Sequence, residues 1–343
     1  MTANEAYYRK VMGAIGVSML LFVLLINAFA VAALVLREFL IIATAPLVVV
    51  NVIYQLFYAA GYMLSFMLPV LLLRARIRSA RYPYQSMQSL QLPPPSTILL
   101  LPAIVTVIFL ASRLNASFVN IVQYVPLSQN SNSAIELRAP AAYEWVLEMV
   151  VTCVVPGFCE EFLFRGAIQT NCRPFGRVNA VLIASFLFSM MHQNPVQILY
   201  TFFAGIFLGI VYEKTNSLLA CSVLHIFNNL AATCEEMLAH GIGDSFKSSA
   251  TMLAFEIALF IPGVVTLIIF LVRRSREDRA FRNGIFEREL PASDGYASNP
   301  IAPTAARRLF LTPGMVIFLV IVLLELLFLT LLNYGIIHVP SFY

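Results

Sequence analysis

Carboxylate, guanidinium, imidazole and amide side chains occur inside three segments of the sequence that are otherwise apolar. In chain order they are Glu160, Glu161, Arg165, His192, His225 and Asn229. A carboxylate can take a proton from water, and imidazole and amide N–H groups can stabilise a developing oxyanion. Ionisable groups are costly in an apolar medium, so their recurrence in three segments indicates a functional site.

Helical spacing separates the two glutamates. Glu161 and Arg165 are four residues apart, so they share a helix face and are predicted to form an ion pair. Glu160 points about 100° away from that face and is predicted to be the freer carboxylate. His225 and Asn229 also share a face by the same spacing, whereas Asn228 is predicted to turn aside.

The composition predicts a membrane protein. Of the 343 residues, 60% are hydrophobic and 12% are charged, whereas soluble domains carry about 25% charged residues. Apolar runs of about 20 residues recur along the chain, and each is long enough to span a bilayer as a helix. The prediction is an all-α, polytopic transmembrane helical bundle with about nine spans, four of which form a core that carries the site.

The polar residues divide the predicted spans into three regions. Residues 1–140 form an N-terminal region of about three spans, 141–240 form the four-span core, and 241–343 hold two spans and a basic linker. Lys and Arg residues occur in short runs between spans, which predicts topology signals rather than a surface for nucleic acid. Placing these runs on one side gives a multi-pass protein of the cell membrane, with its N-terminus cytoplasmic and its C-terminus outside.

Chain lengths place the polar groups at one depth. Glu160 lies 15 residues before a turn predicted near Phe175, and His192 lies 17 residues after it. At about 1.5 Å per residue, both are about 20 to 25 Å from that turn on antiparallel helices. His225 and Asn229 lie about 14 to 20 Å past the next turn on the same side, so three helices are predicted to meet at one level.

The motifs resemble those of the CAAX protease and bacteriocin-processing (Abi) family of intramembrane peptidases, which is related to type II CAAX prenyl endopeptidases. The family pattern is E-E-x-x-x-R, then F-x-x-x-H, then H-x-x-x-N on successive helices. The matching residues here are Glu160, Glu161 and Arg165, then Phe188 and His192, then His225 and Asn229. The resemblance covers about 142 to 240 of the sequence.

This resemblance implies an endopeptidase that cuts membrane-associated or lipidated peptides and proteins in contact with membrane lipids. It implies that Glu160 and His192 activate a water and that His225 and Asn229 stabilise the oxyanion. Glu161 and Arg165 would be supporting residues. No cofactor is favoured, because Asn229 is a poor zinc ligand. The alternative is a zinc ion held by Glu160, His192 and His225, a set of the kind that leaves a fourth position open.

Other acidic residues are predicted to lie outside the site, and the same scaffold allows a second function. Glu256 and Glu325 are predicted to be paired interior carboxylates, and Glu235, Glu236 and His240 a solvated helix end. Gly241 to Asp244 imitate an aspartyl-protease signature but lie in a polar loop. The alternative function is a non-catalytic membrane protein on the same scaffold, acting in bacteriocin immunity, binding or transport. Pro156-Gly157 is predicted to break its helix, but no second broken helix supports transport.

Overall fold

A computed structural model describes residues 3–80, 100–104, 106–107, 142–194, 197–242, 260–269, 272–273 and 310–333. Every regular element in these ranges is helical, so the predicted all-α bundle is confirmed. Glu256 and Asp244 lie outside the described residues, as do the side chains of Glu235, Glu236 and His240.

Seven helices are labelled here in chain order: α1 (Ala3–Ile42), α2 (Leu47–Ser79), α3 (142–175), α4 (Arg177–Met190), α5 (Ile198–Thr215), α6 (Leu218–Ile242) and α7 (Pro313–Asn333). Three stretches are long and apolar enough to cross a membrane, namely Glu5–Ile42, Leu47–Ser79 and Ile198–Thr215. Shorter apolar helices occupy Arg177–Met190, Leu218–Thr233, Phe260–Ile269 and Pro313–Phe328. Many large apolar side chains on these helices are exposed, as expected of surfaces that face lipid.

The N-terminal helices form a support for the later ones. Helices α1 and α2 pack as a hairpin, in which the Phe22 and Phe66 rings lie 4.9 Å apart. Helix α7 packs on the other side of α1, where Asn27 donates a 3.1 Å hydrogen bond to Glu325. One continuous apolar core joins α1, α2 and α7 to α3 and α4. The predicted pairing of Glu325 is therefore observed, and its partner is Asn27.

Helix α3 corrects one prediction, because it continues through Pro156 and Gly157 instead of breaking there. It contains two π-helical segments, Val150–Val154 and Phe162–Gln169, and Pro156 lies in the first turn of the α-helical segment between them. Proline is tolerated at such a position because its missing N–H is not required there. Helical segments with π geometry occur often at functional sites.

Close approach of α3 to α6 depends on Gly157. A Cβ atom at this position would lie 2.4 Å from Ile226 Cγ1, so any larger residue would push the two helices apart. Glu160 lies three residues after Gly157, and His225 directly precedes Ile226. The glycine therefore brings the two parts of the chain that carry these side chains together.

Helix α4 ends before His192, which was predicted to lie on it. It ends at Met190 rather than at His192, which lies in the following turn. Gln193 adopts a φ of 51°, a left-handed conformation that cannot continue a helix. Asn194 precedes Pro195 in the sequence, and a residue before proline disfavours helical geometry. His192 consequently lies where the helix ends.

The two predicted turns near Phe175 and Asn216 are joined in the structure. Arg173 donates a 2.9 Å hydrogen bond to the Asn216 side chain and a 2.8 Å bond to Glu213. Gln169 also donates to Glu213, at 2.8 Å. These bonds hold the end of α3 beside the end of α5. Residue counts from the turn near Phe175 and from the turn near Asn216 therefore measure depth in the bundle from the same level.

Candidate active site

A buried ion pair anchors the site, as the spacing predicted. Arg165 lies 2.8 Å from Glu161 Oε1, and both side chains are 0% exposed. The guanidinium also donates a 3.1 Å bond to the Gly205 carbonyl of α5 and lies 4.6 Å from the centre of the Phe188 ring. At Gly205 a Cβ atom would lie 3.0 Å from Ser185 Cα, so the glycine also allows α4 and α5 to approach closely.

His225 lies between the two glutamates. Its Nδ1 donates to Glu161 Oε1 at 2.8 Å, and its Nε2 lies 3.8 Å from Glu160 Oε2. Glu161 Oε1 therefore accepts from both Arg165 and His225. This contact adds to the predicted supporting role of Glu161, because the carboxylate orients the imidazole as well as pairing with the arginine.

Glu160 is buried, at 4% exposure. Its Oε1 accepts a hydrogen bond from the Tyr62 hydroxyl of α2. Its Oε2 has no hydrogen-bond partner among the residues that the structure describes. A buried carboxylate oxygen without a donor is costly, and such atoms in native structures mark sites where a water or ligand binds.

Tyr62 belongs to none of the three motifs and could not be predicted from them, because α2 carries no motif residue. A signal was present in the spacing of aromatic residues along that helix, which recur every four positions at Tyr54, Tyr58, Tyr62 and Phe66. Neighbouring rings in this series lie 4.8 to 6.3 Å apart, so they form a ladder along one face. Such a stripe usually indicates packing, and spacing alone does not distinguish packing from a role in a site.

His192 faces the same region across the Phe188 ring. Its Nδ1 donates to the Phe188 carbonyl at 2.8 Å, which leaves Nε2 as the nitrogen with a lone pair. The Phe188 ring centre lies 5.0 Å from the His192 ring centre and 5.8 Å from that of His225. His192 also interacts electrostatically with Glu160 and His225. The phenylalanine of the second motif therefore separates the two imidazoles.

Asn229 is held by a backbone carbonyl of α3. Its Nδ2 donates to the Thr152 carbonyl at 3.2 Å, and its Oδ1 accepts from Asn228 at 3.2 Å. Thr152 lies in the π-helical segment Val150–Val154, where a carbonyl bonds the N–H five residues on rather than four. The asparagine amide therefore links α6 to the π-helical segment of α3.

The zinc alternative has no preformed ligand set within the described ranges. No three His, Cys, Asp or Glu side chains there are grouped so as to hold a metal ion. The Nδ1 atoms of His192 and His225 are engaged by Phe188 and Glu161, so each ring would offer only Nε2. The preference for a site without a metal ion stays a prediction.

The comparison with protein families agrees with the motifs. Residues 142–231 match the family model described as type II CAAX prenyl endopeptidase Rce1-like. The match and the helical fold together indicate a membrane protease. The predicted family resemblance is confirmed over this segment. The match runs from the start of α3 into α6 and includes all six candidate residues, whereas Tyr62 lies outside it. Searches of curated proteins and of solved structures give no significant match.

Proposed function

We propose that the chain is an intramembrane endopeptidase that hydrolyses peptide bonds of membrane-associated or lipidated substrates. The observation that carries the proposal is the buried contact of Glu160 and Glu161 of α3 with His225 of α6, next to His192. The proposal places the protein in the cell membrane with a cytoplasmic N-terminus, following the distribution of basic residues.

In the proposed reaction, two acceptor atoms hold and activate a water. Glu160 Oε2 is buried and has no hydrogen-bond partner within the described part of the chain, and His192 Nε2 carries a lone pair. A water that donates to both atoms has its oxygen free to attack a peptide carbonyl, and the water's proton passes to Glu160. The carboxyl group then returns this proton to the leaving amine.

His225 and Asn229 are proposed to stabilise the oxyanion. When ionised, Glu160, Glu161 and Arg165 together carry one more negative than positive charge, so a protonated His225 balances the buried cluster. In that state Nε2 of His225 is a donor, and the Asn229 amide has a second N–H beyond the one bonded to Thr152. Two oriented donors in a dry site stabilise a tetrahedral oxyanion strongly.

The proposal is tested by processing assays with the protein in proteoliposomes. The probes are quenched-fluorescent peptides, one set anchored by a C-terminal isoprenoid chain and the other embedded by a single hydrophobic span. We expect wild-type protein to cleave members of one set and His192→Ala to lower kcat about 100-fold, because a water that loses one of its two acceptors is no longer held in position for attack. The matched control is His240→Ala, which makes the same chemical change 15 residues beyond His225.

Two outcomes would contradict the proposal. Full activity in His192→Ala would reject the assignment of this histidine. Stable binding of the peptides by wild-type protein with no cleavage would favour the non-catalytic alternative in immunity, binding or transport.

Metal dependence is tested on the same preparation. We expect cleavage to persist after exhaustive treatment with a zinc chelator and elemental analysis to give no stoichiometric zinc, because the favoured reaction uses only side chains and water. Loss of activity on chelation, with recovery on addition of Zn²⁺, would instead support a zinc ion held by Glu160, His192 and His225.

A further inference from the structure

We infer that Tyr62 is a positioning residue of the site. Helix α2, which carries it, lies outside the segment that matches the family model and therefore also contributes to catalysis. The inference rests on the proposed function, since it assigns Tyr62 the task of orienting the carboxylate of Glu160. Tyr62 lies on a different helix from the residues of the three motifs.

The hydrogen bond distinguishes the two oxygens of Glu160. Oε1 accepts from the Tyr62 hydroxyl, while Oε2 faces His225 Nε2 at 3.8 Å and has no hydrogen-bond partner in the described residues. A carboxylate held at one oxygen cannot rotate freely about its last bond. Tyr62 therefore selects Oε2 as the oxygen that is available to a water, and it stabilises the carboxylate without touching the substrate.

The tyrosine ring is itself held by packing. It lies 4.8 Å from the ring of Phe66, which is fully buried and packs on Phe22 of α1. The preceding residue, Gly61, approaches Phe29 of α1 so closely that a Cβ atom would lie 2.7 Å from that ring. Because α1 fixes the rotation of α2 at this point, the hydroxyl is delivered to Glu160 with little freedom.

The chain offers variants that separate a positioning role from packing. Tyr62→Phe removes only the hydroxyl and keeps the ring, whereas Tyr62→Ala removes both. Tyr54→Phe makes the same chemical change two turns earlier on the same ladder and is the matched control. A residue that only packs would tolerate Tyr62→Phe and would not tolerate Tyr62→Ala.

We expect Tyr62→Phe to lower kcat by about 10- to 100-fold, the effect of losing one hydrogen bond to a charged group. KM should stay within about twofold, because the hydroxyl contacts the enzyme's own carboxylate and not the substrate. The thermal unfolding midpoint should fall less than in Tyr62→Ala, because the ring stays although Glu160 Oε1 loses its donor. Tyr54→Phe should match wild type in all three quantities. Tyr62→Ala should lose both activity and stability.

An infrared measurement tests the contact without using activity. The carboxylate bands that disappear in Glu160→Gln identify Glu160, and we expect these bands to shift in Tyr62→Phe but not in Tyr54→Phe. Bands that do not shift would overturn the inference, as would wild-type kcat in Tyr62→Phe or an effect confined to KM. If wild-type protein cleaves no probe, the proposed function fails, and the infrared result still decides whether Tyr62 orients Glu160.

Discussion

Replacing Glu160 with glutamine is expected to lower kcat by about 100- to 10,000-fold, the range that a general base contributes. Glutamine keeps the size of the side chain, and its amide oxygen can still accept from Tyr62. It cannot take a proton from water, so only the chemical step is lost. The change is measured as kcat in proteoliposomes with the most active peptide probe, alongside the unfolding midpoint of the variant.

Glu325→Gln is the matched control for this experiment. Glu325 is also a carboxylate within an apolar helix, and a glutamine oxygen there can still accept the bond from Asn27. It contacts α1 and lies outside the segment that matches the family model. We expect wild-type kcat in this variant. Activity retained in Glu160→Gln, or lost equally in both, would remove Glu160 from the proposed mechanism.

The second large effect is expected on stability, for Arg165→Met. Methionine fills much of the volume of the arginine but leaves the fully buried Glu161 without its cation. Removing one partner of a buried ion pair costs about 3 to 5 kcal/mol, because the cluster of Glu160, Glu161 and His225 then carries a negative charge that no cation balances. The measurement is the free energy of unfolding in detergent micelles from denaturant titration.

Two further variants make the stability prediction specific. Arg37→Met breaks the exposed Arg37–Glu38 pair, and we expect a loss of at most about 1 kcal/mol. Adding Glu161→Gln to Arg165→Met removes the uncompensated charge, so the double variant should be more stable than Arg165→Met alone. Equal losses in Arg37→Met and Arg165→Met, or no recovery in the double variant, would show that burial does not set the cost.

Helical geometry explains which parts of the site could be predicted from the sequence. The Glu161–Arg165 pair follows from four-residue spacing on one helix, and the structure contains it at 2.8 Å. The alignment of the turns at 175 and 216 made residue counts a measure of depth, because each helix rises by a constant amount per residue. The all-α fold followed from the length of the apolar runs.

Contacts between distant parts of the chain could not be predicted in this way. Tyr62 precedes Glu160 by 98 positions, and the rotation of α2 that joins them depends on packing against α1. The prediction that Pro156 breaks α3 was wrong because a π-helical segment precedes the proline. The end of α4 at Met190 depended on the left-handed conformation of Gln193, which is not evident from apolar periodicity.

The bond from Asn229 to Thr152 changes how a mutational scan of this region should be read. The acceptor is a main-chain oxygen, so alanine at position 152 leaves the acceptor intact and removes only the Thr152 hydroxyl, which donates to the Glu148 carbonyl. A scan of side chains therefore tests the donor of this bond at Asn229, whereas the acceptor is tested only by a change in the main chain at position 152.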